Sequence, residues 1–154
     1  MNNNRTEKLK LKLNEIRDTI DPKPVKHLDL EKCERIISRL AEFSSDCESC
    51  SQHLSDFENH ISQLLNQKEN INKQIIKDHT TFINQVESHL TGQHDLVSSG
   101  YYTSIYMSLG MSFGLLFGLV IFDNIGIGLP IGLAIGLAIG AGKDEDTKKK
   151  GKTI

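Results

Sequence analysis

The sequence predicts an all-α chain: a short N-terminal helix, a long coiled-coil helix, and then a glycine-rich transmembrane helical hairpin. Three observations predict it. Residues 104–142 carry a single charge, Asp123, with a small residue at every fourth position. Residues 33–82 hold an apolar seven-residue repeat, and residues 25–91 contain neither proline nor glycine.

Residues 1–26 open on a polar start, expected to be disordered, and continue into a helix whose Leu9, Leu13, Ile16 and Ile20 recur at intervals of four, three and four. That spacing puts them on one face. Lys8, Lys12 and Arg17 lie off the stripe. Such a helix can rest on an anionic membrane surface, but the expectation preferred here is that it folds back on the acidic middle of the chain. Asp21, Pro22, Lys23 and Pro24 then form a rigid elbow, because proline lacks an amide donor and restricts the residue before it.

Residues 27–92 are the predicted coiled coil. The repeat runs through Cys33, Ile36, Leu40, Phe43, Cys47, Cys50, Leu54, Phe57, Ile61, Leu64, Lys68, Ile71, Ile75, Asp78 and Phe82, and thirteen of these fifteen positions are apolar if cysteine is counted. A heptad kept in phase this long implies a left-handed coiled coil. An unbroken helix would measure on the order of 75 Å at 1.5 Å per residue. The asparagine-rich residues 66–72 offer a turn instead, folding the helix into an antiparallel pair; the unchanged phase across them favours a continuous helix paired with a second chain, or with the N-terminal helix over part of its length.

Residues 93–103 read as a joint, with Gly92 just before it and Ser98, Ser99 and Gly100 inside it. Tyr101, Tyr102 and Tyr106 suit the aromatic belt at a membrane interface. Residues 104–142 hold two apolar stretches, each long enough to cross a hydrocarbon core, which takes roughly 17 to 25 helical residues. Gly110, Gly114 and Gly118 form one ridge; Gly128, Gly132, Gly136 and Gly140 form its counterpart. In lipid, helices associate by close packing of small residues. A second ridge comprises Ser104, Ser108 and Ser112 on one helix and Gly126, Ala134, Ala138 and Gly142 on the other, so that one face closes the hairpin and the other meets a neighbouring molecule. The strict large–small alternation of the second stretch also fits a strand, but an unpaired strand is costly in lipid. Asp123 and Asn124 suit the bend as caps, and Pro130 is expected to kink the second helix.

Residues 143–154 form a lysine-rich tail, with Lys143, Lys148, Lys149, Lys150 and Lys152. Lysine-rich flanks stay in the cytoplasm, and no apolar run follows Met1 as a signal peptide would require. Both termini are therefore expected on the cytoplasmic side of a bacterial inner membrane.

The net charge of −2 conceals an uneven distribution: residues 27–103 carry six basic side chains against twelve acidic ones. An acidic middle excludes a nucleic-acid groove, which needs clustered positive charge. The three cysteines make no disulfide framework. Cys33, Cys47, Cys50 and His53 have the ligand count of a zinc site, yet all three cysteines also fall on the repeat, where packing explains them, so no metal or other cofactor is favoured and zinc or a thiol switch stands as an alternative. His27, His60, His79, His89 and His94 show no recognised pairing. With no phosphate-binding loop and no activated nucleophile, the expectation is a protein that is not an enzyme.

Through GMSFGLLFG and GLPIGLAIGLAIG the tail resembles the glycine-zipper segments of small bacterial membrane proteins. That resemblance implies membrane insertion and self-association. The hairpin is also superficially similar to the proteolipid subunit of rotary ATP synthases, but it has no mid-span carboxylate, which rejects proton translocation of that kind. The functional expectation is a membrane-anchored coiled-coil scaffold or adaptor, a homo-oligomer in the lipid bilayer with a protein partner of unknown identity. A pore-forming, holin- or toxin-like protein is the alternative, and a thiol or zinc sensor the third.

Overall fold

The computed structural model describes residues 2–154, with side chains from Asn4 onward. The polar start, expected from the sequence to be disordered, falls partly on Met1, outside the described residues; from Asn2 the chain is helical. It divides into two units, a helical bundle over residues 1–94 and an apolar hairpin with its flanks over residues 95–153. Every regular element among the described residues is a helix, in keeping with the predicted all-α class.

The bundle comprises α1 (Asn2–Thr19), α2 (Pro22–Leu28), α3 (Leu30–Phe43), α4 (Glu48–Asn66) and α5 (Lys73–His94). Helix α1 packs against α3 and α4, burying Leu9, Leu13 and Ile16, with Ile20 buried just beyond its end, as their spacing demands. Its basic face meets the acidic middle of the chain: Arg5 pairs with Glu58 at 2.7 Å, Arg17 with Glu34 at 3.1 Å, and Lys12 donates to Ser62 at 3.0 Å. The elbow is present, with Pro22 and Pro24 in the first turn of α2, where a missing amide hydrogen costs nothing.

The continuous coiled coil is not. The rod is cut three times, each time by a polar side chain that caps a new helix. Asp29, in the left-handed region at φ 42°, ends α2 and accepts from the Lys32 amide to start α3. At Ser44, Ser45 and Asp46 the chain turns out of α3, and Cys47, in extended backbone, caps α4 through its sulfur. After α4 a short 3-10 turn, Lys68–Asn70, reverses the chain, and Asn72 Oδ1 accepts from the amides of Gln74 and Ile75 at 2.9 and 3.0 Å to begin α5. Capping satisfies amides that a helix terminus would otherwise leave unpaired. A cap therefore competes effectively with continuing the helix.

The seam positions keep their apolar role up to the turn: Cys33, Ile36, Leu40, Cys50, Leu54, Phe57, Ile61 and Leu64 are buried, with Phe43 half-buried. Beyond it the register moves by one. Helix α5 buries His79, Ile83, Val86 and Leu90, while Lys68 and Asp78 are exposed and Ile71, Ile75 and Phe82 are half-buried. The heptad inferred across residues 66–72 joined two helices of independent phase. The pairing partner is within the chain: Phe57 of α4 meets Phe82 of α5 edge to face at 5.3 Å, and Lys32 of α3 pairs with Glu87 of α5 at 2.7 Å.

His79 is buried, with Nε2 2.9 Å from the Leu28 carbonyl and Nδ1 2.9 Å from His60 Nε2. A carbonyl only accepts, so the bonding assigns the His79 proton to Nε2 and makes His60 the donor to Nδ1. Burial, and then the neighbouring His79, hold the His60 pKa down at about 4; burial lowers that of His79 too. The unfolded chain thus takes up protons at a higher pH than the folded one. Their contribution to stability is full above about pH 6.5, the ordinary histidine value, and falls as the pH drops from there toward 4. Thermal unfolding of the full chain across this range should show that decline, and His60→Gln, which still donates to His79, should flatten it.

Candidate functional site

Helices α6 (Tyr101–Ile121) and α7 (Ile125–Lys149) form the hairpin. Helix α6 starts three residues before the expected span and α7 runs seven beyond it, so the joint shortens to residues 95–100. At 1.5 Å per residue α6 extends about 32 Å, enough for a hydrocarbon core of roughly 30 Å. Helix α7 is continuous through Pro130, which removes the strand reading. At the bend Asp123 adopts a left-handed conformation, φ 45°, and Asn124 caps α7 by accepting from the Gly126 amide at 2.9 Å. Both behave there as their residue types suggest.

The two glycine ridges meet within the chain. Gly114, Gly118, Gly128, Gly132, Gly136 and Gly140 are buried, and a methyl group on any ridge glycine would strike opposing backbone. At Gly132 it would lie 2.6 Å from Gly114 Cα, at Gly114 2.6 Å from the Gly128 carbonyl oxygen, at Gly110 3.0 Å from Gly136 Cα, and at Gly118 3.2 Å from Gly128 Cα. The longer ridge of α7 finds its remaining partners outside the glycine pattern. Gly136 packs on the Tyr106–Met107 backbone and Gly140 on Thr103, where an added methyl group would lie 2.5 Å from the Thr103 Cα. The second ridge takes no part in closure: Ser104, Ser108, Ser112, Ala134, Ala138 and Gly142 are exposed.

Large side chains point outward. Leu116 is 59%, Phe113 56%, Ile135 56% and Val120 82% exposed. Apolar surface this continuous on both helices has no place in water; lipid is its solvent.

The open end of the hairpin is held by a residue the sequence reading passed over. Helix α6 begins at Gly100, φ 78°, which has no side chain with which to cap. Asp144 of α7 supplies the missing oxygens across the gap, accepting from the Tyr102 amide at 3.0 Å, the Thr103 amide at 2.9 Å and the Thr103 hydroxyl at 2.6 Å. A carboxylate at a helix N-terminus also complements its dipole. Beside it the Lys143 ammonium lies 5.7 Å from the ring centroids of both Tyr102 and Tyr106. Val97 donates to the Lys152 carbonyl at 2.9 Å, tying the two flanks together.

The cysteines separate into two environments in the bundle. Cys33 is fully buried in α3, with its sulfur 3.6 Å from the Leu28 carbonyl and 3.8 Å from His79 Nε2. Burial pushes its pKa up to about 12, and a thiol held that high is a poor nucleophile at neutral pH. It does not join Cys47 and Cys50, and the set Cys33, Cys47, Cys50 and His53 does not assemble. Cys47 and Cys50, at the start of α4, instead face His89 and His94, in the last turns of α5. Cys47 Sγ is 3.5 Å from His89 Nε2; Cys50 Sγ is 3.3 Å from His89 Nε2 and 3.1 Å from His94 Nε2. His53 lies behind His89, ring centroids 5.0 Å apart. The signal was present in the sequence as C-x2-C and H-x4-H, separated by most of two helices. It carries no meaning until the turn at residues 66–72 brings those helices back to back.

Gly132→Ala should force the hairpin apart and lower its unfolding midpoint in detergent. Gly142→Ala, which meets nothing within 4 Å, should leave the midpoint unchanged or raise it, since alanine in a helix gains about 1 kcal/mol over glycine. Asp144→Ala should remove a cap worth about 1 kcal/mol, read as faster amide exchange at Tyr102 and Thr103.

No curated protein and no solved structure matches the chain. Residues 98–145, about a third of its length, match the family described as Glycine zipper membrane protein. With two apolar helices packed glycine to glycine, the C-terminal part of this membrane protein is a glycine zipper.

Proposed function

We propose that the protein is a non-enzymatic scaffold or adaptor, whose hairpin anchors the helical bundle at a bacterial inner membrane and self-associates there. One observation carries this reading: the seam glycines are consumed in closing the hairpin, leaving an outer surface of large apolar side chains and a face of small ones. An anchor needs the first. Association with a second copy can use the second, because Ser104, Ser108, Ser112, Ala134 and Ala138 let another helix approach closely.

The same surface weighs against a pore. A conducting ring needs a polar lining, and the hydroxyls of Ser104, Ser108 and Ser112 already donate to the carbonyls of Gly100, Ser104 and Ser108 at 2.9, 2.9 and 3.0 Å. The only charge in residues 104–142 is Asp123, at the bend. The lysines at and just beyond the end of α7 favour a cytoplasmic location for both termini, with the bundle there to meet a protein partner.

Reconstituted in vesicles, the full chain should leave an entrapped dye unreleased; release on insertion would support the pore instead. Ala138→Leu should weaken the oligomer in detergent by about tenfold, about 1.4 kcal/mol, with the hairpin still closed. An assembly of unchanged size would remove self-association through this face.

A further inference from the structure

We propose that Cys47, Cys50, His89 and His94 form a structural zinc site that fastens the start of α4 to the end of α5. The four ligand atoms lie within 4.8 Å of one another. With bonds of about 2.3 Å to sulfur and about 2.05 Å to nitrogen, a tetrahedral Zn²⁺ sets neighbouring S and N ligands about 3.6 Å apart. Three of the sulfur–nitrogen separations, 3.1, 3.3 and 3.5 Å, fall just short of that, so small shifts at these contacts admit the ion.

Ligand chemistry selects the metal. Two thiolates and two imidazoles in tetrahedral array suit zinc, whereas calcium and magnesium take oxygen ligands. Four protein ligands fill the coordination sphere, so the site is structural; a catalytic zinc keeps one position open for water or substrate. Binding displaces one proton from each thiol and leaves the two neutral imidazoles to donate through Nε2, giving a site with no net charge. The spacings C-x2-C and H-x4-H are those in which one turn of chain presents two ligands to a single ion.

The surroundings are arranged for it. Cys47 is the cap of α4, and the Cys50 amide donates to Cys47 Sγ at 3.4 Å, a bond that supports a thiolate, as does the helix N-terminus. Phe43 stacks on the His94 ring at 4.1 Å, and His53 packs at an angle on His89; both rings are thereby oriented. Cys50 is buried while Cys47, His89 and His94 are half-exposed, which leaves a path from solvent. The clasp stands independently of the role proposed for the hairpin.

The test is metal analysis of the full chain, purified in detergent under reducing conditions, followed by titration with Zn²⁺ and with Co²⁺ as a spectroscopic probe. Expected are one zinc per chain and, with cobalt, the intense visible bands of a tetrahedral site together with thiolate-to-metal charge transfer. Cys50→Ser and His94→Ala should weaken binding by more than the roughly 100-fold that loss of an outer-shell partner costs. Cys33→Ser should retain the ion and its spectrum, and His53→Ala should weaken binding by less than either ligand substitution, which separates loss of a ligand from loss of the fold. Wild-type protein with no bound zinc and no tetrahedral cobalt spectrum would overturn the proposal, as would loss of the ion on His53→Ala but not on His94→Ala.

Discussion

Close backbone contact between α6 and α7 is the constraint on which the membrane part of this protein depends. Hydrocarbon offers no hydrophobic drive to bring helices together, so the hairpin must be closed by dispersion over a seam without side chains. Gly114 and Gly132 sit so close that a single methyl group on either would overlap the other strand of the seam. Every other feature of the hairpin follows from that approach. The large residues are driven to the outside, the bend must be short, and the open end requires a partner for the first amides of α6.

That last requirement explains Asp144. Within three residues of the tail's first lysine sit Asp144, Glu145 and Asp146, which read as solvated charges balancing the basic flank. Two of them are: Glu145 and Asp146 pair with Lys149 and Lys150 along the exposed helix. Asp144 differs only in pointing across to α6, a distinction set by which side of α7 the seam occupies. Glycines that are four residues apart determine that side, and the carboxylate at position 144, four beyond Gly140, continues it.

The bundle is organised by the opposite economy, in which polar caps rather than small residues decide the shape. Asp29, Cys47 and Asn72 each end the preceding geometry by offering a side-chain acceptor to amides of the next helix. The five helices then enclose a core that keeps the rod's apolar residues up to the turn at 66–72 and takes Ile83, Val86 and Leu90 beyond it. The cost of the shorter helices is offset by burying Leu9, Leu13 and Ile16 of α1 against α3 and α4, an internal partner that a long rod would have had to find in a second chain.

Residue types and their spacing alone determined the helical class, the hairpin, the bend at Asp123 and Asn124, the stripe of α1 and the buried face of α3 and α4, because each depends on local periodicity or on one residue's backbone preference. Tertiary structure decided the rest. A heptad written through Lys68 and Asp78 cannot reveal that the chain reverses between them, since two short helices and one long one share the same period. Only after the reversal do Cys47 and Cys50 meet His89 and His94 rather than Cys33 and His53, and only the hand of the seam selects Asp144 from its acidic neighbours. Contacts between residues some forty positions apart follow from where the turns fall, and the turns were settled by a few competing hydrogen bonds that no pattern of apolar residues records.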